Sequence, residues 1–306
     1  MNELFDRERR ECMFAKLLIC IFILSHVLTS FYFQRGKLEH GSKTWIRSGP
    51  LYFFIFSSIF TIVFIQAKLL FVILIVSIVR YFIDKGIHYI KTKEGNHLKA
   101  LLVFIGEQLL HILIILLLYP VFKTIVQNSF MNGLLERIIS TYPYLEGINN
   151  IDTLSFMLLV TAGILFTING GTILSLMMIN LLLEKVKLHK KERGVSQRIS
   201  HEEIAVTIEQ SSFSKGRVLE VNLDVIEEEK KRYGKIIGII ERLIIVMAIL
   251  VNKFELIAIV TAVKSIARFK EITNKTSDYY IIGTFASFSI AFLIGFLLLF
   301  LKKVVL

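Results

Sequence analysis

Residues 279–301 read YYIIGTFASFSIAFLIGFLLLFL, a run without one formal charge. About 20 apolar residues match the hydrocarbon thickness of a bilayer, and a segment placed there has to be helical, because lipid offers its backbone groups no partner. Working back along the chain, apolar runs of similar character give eight candidate spans, at 13–33, 51–66, 69–90, 100–119, 153–183, 236–252, 254–270 and 279–301. With 54% hydrophobic residues in 306, the chain reads as an all-α, polytopic helical membrane protein of about eight transmembrane helices. A soluble helical domain of this size has no interior that would take so many separate apolar runs.

The segment boundaries divide the chain into an N-terminal four-helix membrane region (1–120), an outer-side loop or interfacial segment (121–152), a fifth transmembrane helix (153–183), a charged linker (184–235) and a C-terminal three-helix membrane region (236–306). Only Ala67 and Lys68 separate the second and third spans, and only Asn252 and Lys253 the sixth and seventh. One helix over 51–90 would be about 60 Å long, so a tight hairpin is the expectation and one long tilted helix the alternative. Asn169-Gly170-Gly171, inside the long fifth span, predicts a kink or a close helix contact. Tyr142, Pro143 and Tyr144 suit a segment lying at headgroup level.

The formal charge is +11, and of 36 Lys and Arg residues the linker 184–235 alone carries twelve. The bias of basic residues toward the cytoplasmic face then puts this linker inside and both termini outside. Topology and anionic headgroups account for the charge, so no nucleic-acid partner is expected. Met1 to Glu11 holds Arg7, Arg9 and Arg10, and no small-residue cleavage pattern follows, which reads as an uncleaved first span. Cys12 and Cys20 form no disulfide framework. Within the linker, Ser200 to Glu203 is a capping-box pattern ahead of Ile204 and Ile208, and a second helical stretch is expected near 218–232. Residues 203–214 have a faint helix-turn-helix character but lack its glycine turn. A solvated cytoplasmic helical element, whose basic residues could also touch anionic lipid headgroups, is the simpler reading.

Charges inside membrane helices are expensive and mark sites. One set lies in the N-terminal half: His26 on the first span, Arg80, Asp84 and His88 four residues apart on the third, and Glu107, Gln108 and His111 on the fourth. Four-residue spacing puts each set on one helix face. His26, Asp84, His88, Glu107 and His111 are candidate ligands for a divalent metal, or members of a proton relay. The competing reading is structural, with Arg80 paired to Asp84 or Glu107. A second set lies near the C-terminus, in Glu241 and Arg242, then Lys264 and Arg268, then Thr284 and Ser287. Glu241 is expected to meet Lys264 or Arg268, while Arg242 snorkels toward the headgroups or faces the linker. The cluster is either a structural ion-pair network or a basic pocket for an anionic, phosphate-bearing lipid.

The order GKIIGIIERL, AVKSIARF, YYIIGTFASF over 234–290 resembles the C-terminal signature of the bacterial membrane family known as domain of unknown function 3307. In the N-terminal half the resemblance implies a pattern of a His and an Asp on the first helix, a His four residues before an Asp on the third, and an Asp-Gln pair with a following His on the fourth. His26, Asp84, Gln108 and His111 fit it, whereas Ser30, Arg80 and Glu107 stand where the pattern has Asp, His and Asp. The His-to-Asp spacing is more distantly similar to membrane-bound metal-dependent hydrolases. The resemblance therefore implies a protein of the bacterial inner membrane and no particular activity. Its departures favour a non-catalytic protein that binds an inner-leaflet anion or lipid, or a cytoplasmic partner through 184–235. A metal-dependent hydrolase of lipid-linked substrates, or a proton- or cation-coupled transporter, is the alternative.

Overall fold

The computed structural model describes residues 2–33, 45–61, 67–91, 97–125, 151–192, 223–267 and 277–305, and every regular element among them is helical. α1 (Asn2–Leu28) continues into a π-turn, Thr29–Phe33. Then come α2 (Trp45–Thr61), α3 (Ala67–Lys91), α4 (His97–Leu117), the short α5 (Tyr119–Lys123), α6 (Ile151–Glu192), α7 (Leu223–Leu250), α8 (Glu255–Ala267) and α9 (Ser277–Val305).

Among the described residues four stretches are long and apolar enough to cross a membrane, at Glu11–Phe33, His97–Lys123, Asp152–Leu182 and Ile281–Lys303, fewer than the eight expected. The physical reasons differ. The apolar part of α2 is only Pro50–Ile59, and α8, at 13 residues, reaches about 20 Å at about 1.5 Å per residue. α3 and α7 are long but interrupted by charge. Their sidedness is nonetheless inverted relative to a water-soluble helix. In α3, Leu70, Phe71, Leu74, Ile75, Ile78 and Phe82 are exposed while Ser77, Arg80 and Asp84 are buried. Such a face suits hydrocarbon surroundings, where polar groups turn to the protein interior.

α1 and α6 form the centre, packed on each other. Around α1 stand α2, α4 and α5, with α3 packed on α2 and α4; around α6 stand α7 and α9, with α8 on the outside of α7. Phe22, Phe53 and Phe122 interlock in the first half, with ring centroids 5.9 and 5.0 Å from Phe22. Ile245, Ile249, Ala291 and Leu298 fill the second. A Cβ on Gly163 would stand 2.6 Å from Leu298, and one on Gly295 the same distance from Ile249. These two glycines therefore set the approach of α9 to α6 and α7.

The pair at 51–90 resolves into two helices, α2 and α3, packed against each other. The fifth span runs unbroken from Ile151 to Glu192, ten residues past its apolar part, so Asn169-Gly170-Gly171 marks a contact and not a helix break. The helix expected near 218–232 starts at Leu223 and continues without interruption into the sixth span. The capping box at 200–203, the stretch 203–214 and residues 126–150 lie outside the described residues.

α7 ends in a tight reversal. Lys253 N–H donates to the Ala248 carbonyl at 2.8 Å and Asn252 N–H to the Ile249 carbonyl at 3.1 Å, with Asn252 at φ 55°. This is the Schellman arrangement, with asparagine in the left-handed position. It makes the expected hairpin of the sixth and seventh segments.

Candidate functional site

α3 buries Arg80 and Asp84, α1 contributes His26 and the π-turn that continues it Ser30, and α4 contributes Glu107, Gln108 and His111. Three helices therefore converge on one polar site inside an apolar shell. His111 lies near the middle of the His97–Lys123 stretch, about 20 Å from either end along the helix.

Arg80 organises one side of this site. Nη1 contacts His26 Nδ1 at 2.8 Å and Nη2 donates to Ser30 Oγ at 2.7 Å. Its Nε is 3.9 Å from Asp84 Oδ2, an ion pair beyond hydrogen-bond length. The guanidinium also lies over the Phe53 ring, 5.2 Å from its centroid. Arginine can only donate, so His26 Nδ1 accepts and the ring is the neutral tautomer with hydrogen on Nε2. That hydrogen goes to Gln108 Oε1 at 3.1 Å. Both nitrogens of His26 are thereby spent.

The other side is built from acids. His111 Nε2 donates to Asp84 Oδ1 at 3.1 Å. Ligand atoms of Asp84, Glu107 and His111 all lie within 4.8 Å of one another. Two carboxylates and an imidazole at this spacing suit a divalent cation.

Of the five sequence-derived ligand candidates, Asp84, Glu107 and His111 come together. His26 adjoins them, 5.1 Å from His111 between ring centroids, but is turned to Arg80 and Gln108. His88 is on α3, and its side chain is outside the described set. The expected pairing of Arg80 with Asp84 is present through Nε at 3.9 Å, while its terminal nitrogens serve His26 and Ser30.

In the C-terminal half, Glu241 and Lys264 form the expected ion pair between α7 and α8, with side chains only 10% and 11% exposed. Lys264 also lies over the Phe288 ring, 5.2 Å from its centroid. Arg268 is outside the described residues, and Thr284 is half-buried one turn before Ser287. Arg242 overturns its expectation. Instead of snorkelling it is 3% exposed and reaches across to α6 and α9. Nη2 donates to Thr172 Oγ1 at 2.7 Å, Nη1 to Ser287 Oγ at 3.2 Å and Nε to the Thr167 carbonyl at 3.4 Å. A Cβ at 171 would stand 3.3 Å from Nε, so Gly171 makes room for the guanidinium. Sequence reading missed Thr167 and Thr172. The Asn169-Gly170-Gly171 interruption beside them was their signal.

A helix bundle with four stretches fit to cross a membrane, and charges buried between them, defines the class as an all-helical protein suited to a bilayer. Residues 18–135 match the family model described as Protein of unknown function (DUF3307), which bears out the family resemblance. The matched stretch holds the His26–Arg80–Asp84–His111 site, while the signature at 234–290 lies beyond it. No curated protein and no solved structure matches the chain.

Proposed function

We propose that this is a multi-pass protein of the bacterial inner membrane that binds a divalent cation through Asp84, Glu107 and His111, without turning over a substrate. One observation carries the reading: three donor groups within 4.8 Å of one another, while the neighbouring arginine turns its fork away to His26 and Ser30. The non-catalytic part rests on the family pattern. Ser30 and Arg80 stand where that pattern has an Asp and a His, and the two are in contact at 2.7 Å. A neutral hydroxyl and a fixed cation have replaced two potential ligands, which leaves a binding triad and removes the remainder of a hydrolytic centre. The twelve basic residues of 184–235 favour a cytoplasmic linker that is open to a protein partner.

Elemental analysis of detergent-purified protein tests the cation reading. About one zinc or manganese per chain is expected, falling at least tenfold in Asp84→Ala and in His111→Ala. Metal-free protein whose thermal midpoint is unchanged by added zinc, manganese or chelator would sink it.

A further inference from the structure

We propose that Arg242 and the space beside Gly238 form a second, separate site, one that takes a phosphate-type oxyanion. It goes beyond the cation reading and shares no residue with it. A guanidinium carries five N–H groups, and the contacts of Arg242 to Thr167, Thr172 and Ser287 use three of them. One N–H on each terminal nitrogen is left. All three acceptors are neutral oxygens, so the hydrogen bonds orient the charge without neutralising it. The adjacent carboxylate of Glu241 gives the guanidinium some electrostatic support, but it is shared with Lys264, to which it is directly paired. Glu241, Arg242 and Lys264 together therefore carry one net positive charge in a setting where Arg242 is 3% exposed. A buried cation in this state is costly unless an anion completes it.

The surroundings leave such an anion a place. A Cβ added at Gly238 would stand 3.6 Å from Arg242 Nη1, and none of the described residues comes within 4 Å of one added at Gly234. Residues 234, 238 and 242 lie at four-residue spacing on one face of α7. That face therefore carries no side chain at 238 and 234, the two positions next to the guanidinium on its linker side. Gly238 itself is partly exposed. Oxyanions of phosphate match the planar fork of arginine, which presents parallel N–H groups in fixed geometry. A lipid phosphodiester at the linker-side headgroups and free inorganic phosphate share this chemistry.

The test uses the full chain in phosphatidylcholine nanodiscs, with and without phosphatidylglycerol. Native mass spectrometry reads retained lipid, and isothermal titration with inorganic phosphate reads the free anion. Wild-type protein is expected to retain phosphatidylglycerol over phosphatidylcholine or to bind phosphate, and Gly238→Leu to weaken that binding about tenfold or more, as would Arg242→Gln. Loss confined to the lipid measurement assigns the site to a headgroup, and loss confined to the titration assigns it to free phosphate. Arg242→Gln also removes contacts between helices, so Gly238→Leu, which keeps the arginine, decides. Binding in Gly238→Leu equal to wild type, or no preference for either probe in wild type, overturns the proposal.

Discussion

Ser30 and Arg80, the positions where the family resemblance implies an Asp and a His, meet in space. They are 50 residues apart in sequence and joined by a 2.7 Å hydrogen bond, so each accommodates the other. Arg80 needs an acceptor near its fork, and Ser30 supplies one where an acid would have formed an ion pair. The π-turn Thr29–Phe33 holds Ser30, and such local widening of a helix often accompanies functional positions. Ser30→Asp alone should raise the thermal midpoint, because a charge-assisted bond to Arg80 replaces a neutral one. Arg80→His alone should lower it, since His26 Nδ1 loses its donor. The double variant Ser30→Asp, Arg80→His should bind zinc at least about tenfold more tightly than wild type in a chelator competition, with two ligand types added. Equal zinc affinity in the double variant and wild type would show that the two positions do not adjoin the cation triad in function.

Between α7 and α8 the chain reverses on Asn252, whose φ of 55° is a conformation that costs most residues about 1–2 kcal/mol. Asparagine tolerates it, and glycine adopts it freely. Asn252→Val should therefore destabilise the protein by about 1–2 kcal/mol and Asn252→Gly should stay within about 0.5 kcal/mol of wild type, read by urea titration of tryptic resistance in detergent. Equal stability of the valine and glycine variants would mean that the hairpin does not depend on this cap. The reversal was legible in sequence because two apolar runs met at a polar pair. The continuity of α7 was not. Its first turns, with Glu227, Glu228, Glu229, Lys230, Lys231 and Arg232, look like linker in composition, but nothing there breaks a helix, and the backbone carries on through Lys235. Composition marks where lipid ends, whereas the helix ends only where a cap or a breaker stops it.

Across the whole bundle, four-residue spacing gave the polar stripes on α3 and α4 in advance, but not the helix each would face. Arg242 shows why. Its partners Thr172 and Thr167 lie 70 and 75 residues away, and several polar residues on other helices would have satisfied it equally well on paper. Long-range pairing also arranges the ends of the molecule. Cys12 contacts Tyr119 at 3.1 Å, Lys16 pairs with Asp152 at 3.6 Å, and Lys302 lies over the Phe156 ring at 5.9 Å. The starts of α1 and α6 and the end of α9 thus gather at one end of the bundle, while α6 carries Lys185, Lys187 and Lys190 out of the other. The basic linker end should face the cytoplasm and the gathered end the outside. A Cys12→Ser, Cys20→Ala background carrying Lys190→Cys, Glu8→Cys or Lys303→Cys tests this with a membrane-impermeant maleimide. Glu8→Cys and Lys303→Cys should label in right-side-out vesicles, and Lys190→Cys only in inverted ones. A wholly inverted pattern would reverse the orientation and leave the packing intact, whereas labelling of positions 190 and 303 from the same side would contradict the packing of α9 along α6.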